Sequence, residues 1–321
     1  MQGEVSLLYQ CITERVFDVI DEAILEKYRH AGKVCADAAK YARTLVKPGL
    51  SVLELGTKIE NFIQDKGVGL SFPVNLSIDD VAAHYSPPID DTFVLPEKGL
   101  LKVDIGTHVD GYIADHAVTV DIAKTGGIYQ KLIEAAEAGL EVVVKNFRAG
   151  QNVVQIGKLV EDTIVKTGFV PIRNLGGHNL EQYNLHGGVF VPNTGSGYPY
   201  VLKEGDVFAV EPFSTNGAGY VVDGTSKFIY RFHKRPKHQL PMPLAGYLEI
   251  IRKQCSTLPF SPRWLQAKIP KERIMPSILE LARKDLLQAY PLLMEHGSGL
   301  VAQAEHTLIV HKDHSEITTV S

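Results

Sequence analysis

Apolar residues recur at helical spacing from Val16 to Val46: Val16, Val19, Ile20, Ala23 and Ile24, then Ala31, Val34, Cys35, Ala38, Ala39, Ala42 and Leu45. The spacing predicts two helices, or one long bent one, ended by Pro48-Gly49. Ser51, with Glu54 three residues later, has the form of a capping box and opens a further helix that closes at Lys66-Gly67. The period then changes. LLKVDIGTHV and YIADHAVTV, between Leu100 and Asp121, read as strands turning at Asp110-Gly111, a strong hairpin signal. LKEGDVFAVEPF (Leu202 to Phe213) is a turn and an apolar strand ending at Glu211-Pro212. Helical patterns follow near Leu244 to Gln254 and Ile274 to Leu287. GLVAQAEHTLIV (Gly299 to Val310) reads as one buried strand, with Val301, Gln303, Glu305, Thr307 and Ile309 on a single face. Residues 231–290 therefore form a helical insertion between strands of one sheet, and 1–230 with 291–321 form the main domain.

The second hundred residues repeat the first. The stretch from Gly49 to Gly67 aligns without gaps to Gly150 through Gly168, an offset of 101, with Gly49/Gly150, Val52/Val153, Gly56/Gly157, Glu60/Glu161, Ile63/Ile164 and Gly67/Gly168 identical. Any two amphipathic helices after a glycine turn look somewhat alike, but glycines matching at start, middle and end favour a duplication. Two equivalent halves would pack about a pseudo-twofold axis with a cleft between them, and the offset would face His84 and His186 across it.

Composition narrows the setting. With 45% hydrophobic and 22% charged residues the chain can fill a large core. A net charge of −4 does not advertise nucleic acid or an anionic membrane. Cys11, Cys35 and Cys255 are widely spaced and form no CxxC, which suits a reducing compartment. No secretory signal is visible, and no apolar run reaches the roughly 18–20 residues of a membrane span. The expectation is a cytoplasmic protein without a membrane partner.

Four acids stand out against this background. Asp104 lies in LLKVDIG, Asp115 in YIADHAVTV, Glu211 in VFAVEP and Glu305 in VAQAEHTLIV. Acidic residues are depleted in strands and seldom buried unpaired. Two carboxylates about 4 Å apart repel by roughly 4 kcal/mol at an effective dielectric near 20, so a buried cluster of four needs cations. His178 follows Gly176-Gly177, where the backbone can bend to aim an imidazole. One nitrogen among oxygens suits Mn, Co, Fe or Zn rather than a thiolate zinc site. HExxH, GxGxxG, the P-loop and GxSxG are absent. His306, next to Glu305, points to the opposite face of its strand and reads as a packing histidine. The residues alone leave two readings open: a dinuclear metal site, or scattered surface acids.

FPVNLSIDDVAAHYSP (Phe72 to Pro87), LLKVDIGTHVDGYIAD (Leu100 to Asp115), NLGGHNLEQYNLHGG (Asn174 to Gly188), FAVEPF and VAQAEHTLIV resemble methionine aminopeptidase type II over nearly the whole chain. The resemblance implies an α+β "pita-bread" fold, with the insertion as the type II helical subdomain. It implies an N-terminal methionine excision enzyme with two divalent metal ions (Co, Mn, Fe or Zn), acting as a monomer on peptides and nascent protein N-termini. Asp104 then corresponds to a terminal ligand of one metal, His178 and Glu211 to ligands of the other, and Asp115 and Glu305 to bridging carboxylates. Glu211 would also move the proton, His84 assist at the scissile amide and His186 contact the substrate. Phe72, Leu185, Phe213 and Tyr290 would line the methionine pocket, with leucine at 185 departing from the familiar isoleucine. Gly99, where an acidic or small residue is familiar, and NLGGH also depart slightly from the family pattern, away from the ligand positions.

The plainer readings remain beside these. The histidines and aromatics could fill a core, and the basic run RFHKRPKH (Arg231 to His238) could be a solvated loop or touch ribosomal RNA. A prolidase or Xaa-Pro aminopeptidase would share fold and ligands but usually carries a large N-terminal domain. A non-catalytic binding protein on the same fold would lose ligands that this chain keeps.

Overall fold

The computed structural model describes residues 21–320. The reading at Val16, Val19 and Ile20 lies outside them. From Glu22 the predicted helix is a single one, α1 (Glu22–Leu45), capped by the Asp21 carboxylate, which accepts from Ala23 N. α2 (Val52–Asp65) follows with Ser51 accepting from Glu54 N. Then come β1 (Gly69–Ile78), β2 (Val81–Ala83) and the hairpin β3 (Leu100–Val109) and β4 (Tyr112–Asp121). Its turn has positive φ at both Asp110 and Gly111, the conformation that matches the twist of paired strands.

The second half restates this order with α3 (Ile128–Asn146), α4 (Val153–Lys166), β5 (Val170–Pro171), β6 (Gly176–Asn179), β7 (Phe190–Pro192), β8 (Val207–Val210) and β9 (Phe213–Thr215). α2 and α4 are both 14 residues long and are displaced by the offset of the sequence repeat, with side-chain caps at Ser51 and Asn152. The matching mid-helix glycines mark close approaches. A Cβ on Gly56 would lie 3.1 Å from the Pro87 ring, and one on Gly157 only 2.4 Å from Thr194 O.

β10 (Val221–Phe232) pairs antiparallel with β11 (Leu287–Glu295), and between them stand α5 (Leu244–Cys255), a single 3-10 turn at Pro262–Leu265 and α6 (Lys271–Arg283). These helices share a core of their own around Leu248, Ile251, Phe260 and Ile278. α6 stops short of the expected Leu287. Asp285 takes positive φ, which ends the helix, and Leu286 and Leu287 are buried as the chain enters β11.

The expected strand from Gly299 to Val310 is divided into β12 (Val301–Gln303) and β13 (His306–Val310), followed by β14 (Ser315–Ile317). β12 pairs with β9 while β13 pairs with β8, so the chain changes sheets at Ala304-Glu305 beside the matching break at Glu211-Pro212. Ala304 N donates to Pro212 O across the two breaks. Strict alternation through Glu305 therefore does not hold.

α1 and α2 cover β1, β3 and β4 with one apolar core, and α3 and α4 cover the β8/β13 sheet with another. Fully burying one such leucine or isoleucine contributes about 1.5–3 kcal/mol. Where the halves meet, β4 and the β12–β13 strand are joined largely by hydroxyls. Thr307 Oγ1 accepts from Asp115 N at 2.7 Å and donates to Asp115 O at 2.8 Å. Thr119 Oγ1 treats Gln303 N and O likewise, and Glu305 N donates to Ala117 O.

Candidate metal centre and substrate pocket

The acids meet at this seam. Asp104 faces Ala117 and Gly106 faces Asp115 in the β3–β4 register, so both aspartates occupy one face, two rungs apart. Oxygens of Asp104, Asp115 and Glu305 lie within 4.8 Å of one another. His178 Nε2 sits 3.7 Å from Asp115 Oδ2 and 3.9 Å from Glu211 Oε1, which brings the remaining two residues to the same point. Glu211 and Glu305 arrive from the two strand breaks, where the chain is free to turn a side chain inward. The glycines before His178 serve differently from the expectation. Gly176 and Gly177 are extended strand, and a Cβ on either would lie 2.3 Å from a carbonyl of β7 or β8. They permit close strand packing rather than a bend.

The local electrostatics show the cost of this gathering. Burial pushes the Asp104 carboxyl up to about 7. Asp115 is raised well above its ordinary value by burial and then by the charges of Asp104 and Glu211. Glu305 is raised by burial and then by Asp115, Glu211 and Asp104. Glu211 follows, through burial and Asp104. Burial lowers His178 to about 4, leaving a neutral imidazole near pH 7, the form that donates a lone pair. Asp104 Oδ1 and Asp115 Oδ1 are buried without a protein donor. Four converging carboxylates, one neutral imidazole and unpaired buried oxygens fit divalent cations bound mainly through oxygen.

Gln303 was not singled out as a site residue from the sequence. Its amide Nε2 donates to Glu211 at 3.1 Å and reaches Glu305 at 3.4 Å, orienting both. Its place two residues before Glu305 was the available signal. His306 lies off the cavity, stacked on His116 with centroids 4.9 Å apart and bonded to Thr319 Oγ1.

All eleven residues named from the sequence line one cavity of about 240 Å³. Phe72 and Leu185 form one apolar wall with Leu258 and Tyr28 behind them, and Phe213 packs with Leu293 on another. Ile229 and Pro259 also belong to the lining; neither follows from the sequence, because each depends on how residues 221–295 fold over the site. His84 sits just after β2 with φ +70°, a backbone conformation that β-carbon-bearing residues seldom adopt. Its Nδ1 lies 2.9 Å from Pro291 O, and its ring meets Tyr290 edge-on at 5.5 Å. His186 approaches the same tyrosine from the other side, 6.1 Å away, and lies 4.3 Å from the His178 ring.

Comparisons with known proteins agree with this arrangement. The model of metallopeptidase family M24 matches residues 26–255. The methionine aminopeptidase of Pyrococcus horikoshii is 44% identical over 299 residues, covering 92% of this chain and 99% of that protein. Among solved structures, a thermophilic Arx1 superposes with TM-score 0.81 at 16% identity, covering 93% of this chain and 91% of its own. A methionine aminopeptidase of Thermotoga maritima gives 0.69 at 20% identity, covering 94% and 99%. These two show the shared pita-bread fold alone. The family match and the archaeal identity over nearly the whole length go further: this chain belongs to metallopeptidase family M24, among its methionine aminopeptidases, metal-dependent hydrolases that act on peptide N-termini.

Proposed function

We propose that Asp104, Asp115, His178, Glu211 and Glu305 hold two divalent ions, Co, Mn, Fe or Zn, and that the adjoining cavity receives the side chain of an N-terminal methionine. The convergence of four carboxylates, two buried and two half-buried, with one imidazole carries this reading. Asp115 and Glu305, next to the seam, would hold the ions together with Asp104 on one side and His178 and Glu211 on the other. When bound, the ions polarise the scissile carbonyl and make water nucleophilic near neutral pH, the two-metal scheme general to aminopeptidases.

The chain's own groups do the rest. Glu211, held by the Gln303 amide, takes a proton from the attacking water and returns it to the leaving amine. The Pro291 carbonyl can only accept, so the His84 proton is on Nδ1. Burial lowers the pKa of this histidine and keeps it neutral. Nε2 then accepts a hydrogen bond from the scissile N–H, which orients the amide so that its nitrogen can take the proton Glu211 returns. His186, at the rim, contacts the carbonyl side of the substrate. Phe72, Leu185, Phe213 and Tyr290 select methionine by apolar contact.

The substrate is a peptide or a nascent protein, the enzyme a cytoplasmic monomer, and 231–290 a helical subdomain that closes one side of the pocket. No helix among the described residues is long and apolar enough to cross a membrane. In the basic segment, Arg231 is bonded to Gln288 and Lys234 to Asp285, which favours a solvated loop over an RNA-binding surface. The test is methionine release from Met-Gly and Met-Pro peptides after chelation and stepwise metal return. Activity should recover with about two ions per chain. Cleavage of Xaa-Pro but not Met-Gly peptides would favour the prolidase reading instead.

A further inference from the structure

Glu60 lies in α2, 5% exposed, and its carboxylate gathers four donors from distant parts of the chain. Val74 N donates at 3.2 Å, Trp264 Nε1 at 3.1 Å, and both terminal nitrogens of Arg263 complete the set. Arg263 also donates from Nε to Pro87 O at 3.1 Å. Val74, Pro87 and Arg263 each lie within four residues along the chain of a residue that lines the substrate cavity. Val74 stands between Phe72 and Asn75, both on the wall, where the β1–β3 register slips and its N–H leaves the ladder. Pro87 is three residues beyond His84, and Arg263 four beyond Pro259. One carboxylate thus ties β1, the His84 loop and the insertion together.

The repeat supplies an internal control. Glu161 occupies the equivalent place in α4, yet its side chain is 34% exposed and, among the described residues, accepts from Gly195 N and pairs with Lys158. The fold of a half does not require a buried pair at this position. Buried ion pairs are often no more stabilising than a well-packed apolar substitute, while their forked geometry fixes relative position.

We propose that Glu60 and Arg263 are positioning residues that set the width of the side-chain pocket, and with it the preference for methionine over bulkier or branched first residues. The proposal rests on the reading of the cavity as the methionine pocket. Neither residue lines the cavity; they act through Phe72, Asn75 and Pro259, the walls they hold.

The test uses full-length, metal-loaded Glu60→Gln and Arg263→Lys with Met-Ala-Ser and Leu-Ala-Ser peptides. Arg263→Lys keeps the charge but gives up the fork and the bond to Pro87, and carries the experiment should Glu60→Gln fail to fold. KM for Met-Ala-Ser should rise about tenfold with kcat within about threefold, and the Met-to-Leu ratio of kcat/KM should fall about tenfold, within the range one side-chain contact governs. Trp264 is the single tryptophan, so its emission should shift to the red as the latch loosens. Unchanged KM and unchanged selectivity in a folded, metal-replete variant would overturn the proposal, as would a fall in kcat that accompanies metal loss. A wild-type enzyme that released no methionine would sink the pocket reading itself, a result separable from either.

Discussion

The two halves of the molecule share a plan but bring their carboxylates to the proposed metal centre by different means. In the first half, Asp104 and Asp115 project from an uninterrupted hairpin, and their positions follow from pleat and register alone. In the second, Glu211 and Glu305 stand at paired breaks where each strand leaves one sheet for another, and Gln303 is needed to hold them. One backbone plan thus brings two carboxylates to the proposed metal site by register alone and two more by a change of sheet at paired breaks.

The largest effect expected from breaking the contrast comes at the ligands. Asp115→Asn should abolish stoichiometric metal binding and lower turnover at least about a thousandfold, whereas His84→Ala should keep metal while turnover falls about 10²-fold, the usual cost of a misplaced scissile amide. Metal analysis beside steady-state rates decides this, and metal loss in His84→Ala would show that its role is misassigned. Next come the paired glycines. Gly157→Ala places a methyl against two carbonyls and should destabilise by about 1–3 kcal/mol, while Gly56→Ala meets one ring edge and gains helix propensity, leaving it within about 1 kcal/mol of wild type. Denaturant unfolding of both would measure the asymmetry.

The smallest effect concerns the tie between halves, where Glu316 of β14 bonds Arg29 of α1. Hydrogen bonding from Arg29 lowers the Glu316 pKa below its ordinary 4.5. The unfolded chain then takes up the proton first, so this stabilisation is present above about pH 4.5 and fades as pH falls through the depressed value. The Tm gap between wild type and Glu316→Gln should accordingly close in acid.

Much of this was open to reading from the residues. The Asp-Gly hairpin, the displaced helix pair and the four acids set in apolar strands carry local signals, in turn chemistry, periodicity and misplaced charge, while their assignment as metal ligands came from the family resemblance. What escaped was set by contacts remote in sequence. The division of 299–310 depends on which partner each part finds, β9 or β8. Pro259 and Ile229 enter the cavity only once residues 221–295 have packed over it. The role of Gly176-Gly177 was mistaken because a pair of glycines signals a turn as readily as crowded strands, and only the carbonyls of β7 and β8 distinguish the two.

The Thr307 hydroxyl, which both gives to and takes from the Asp115 backbone across 192 positions of chain, carries a consequence for assembly. Contacts so remote in sequence form late, after the entropy of closing a very long loop has been overcome. A ribosome-bound intermediate of this polypeptide that has not yet extruded its final strands lacks Glu305 and the Gln303 amide that orients it, and so would be inert. Peptidase capability arrives as the concluding event of its own folding.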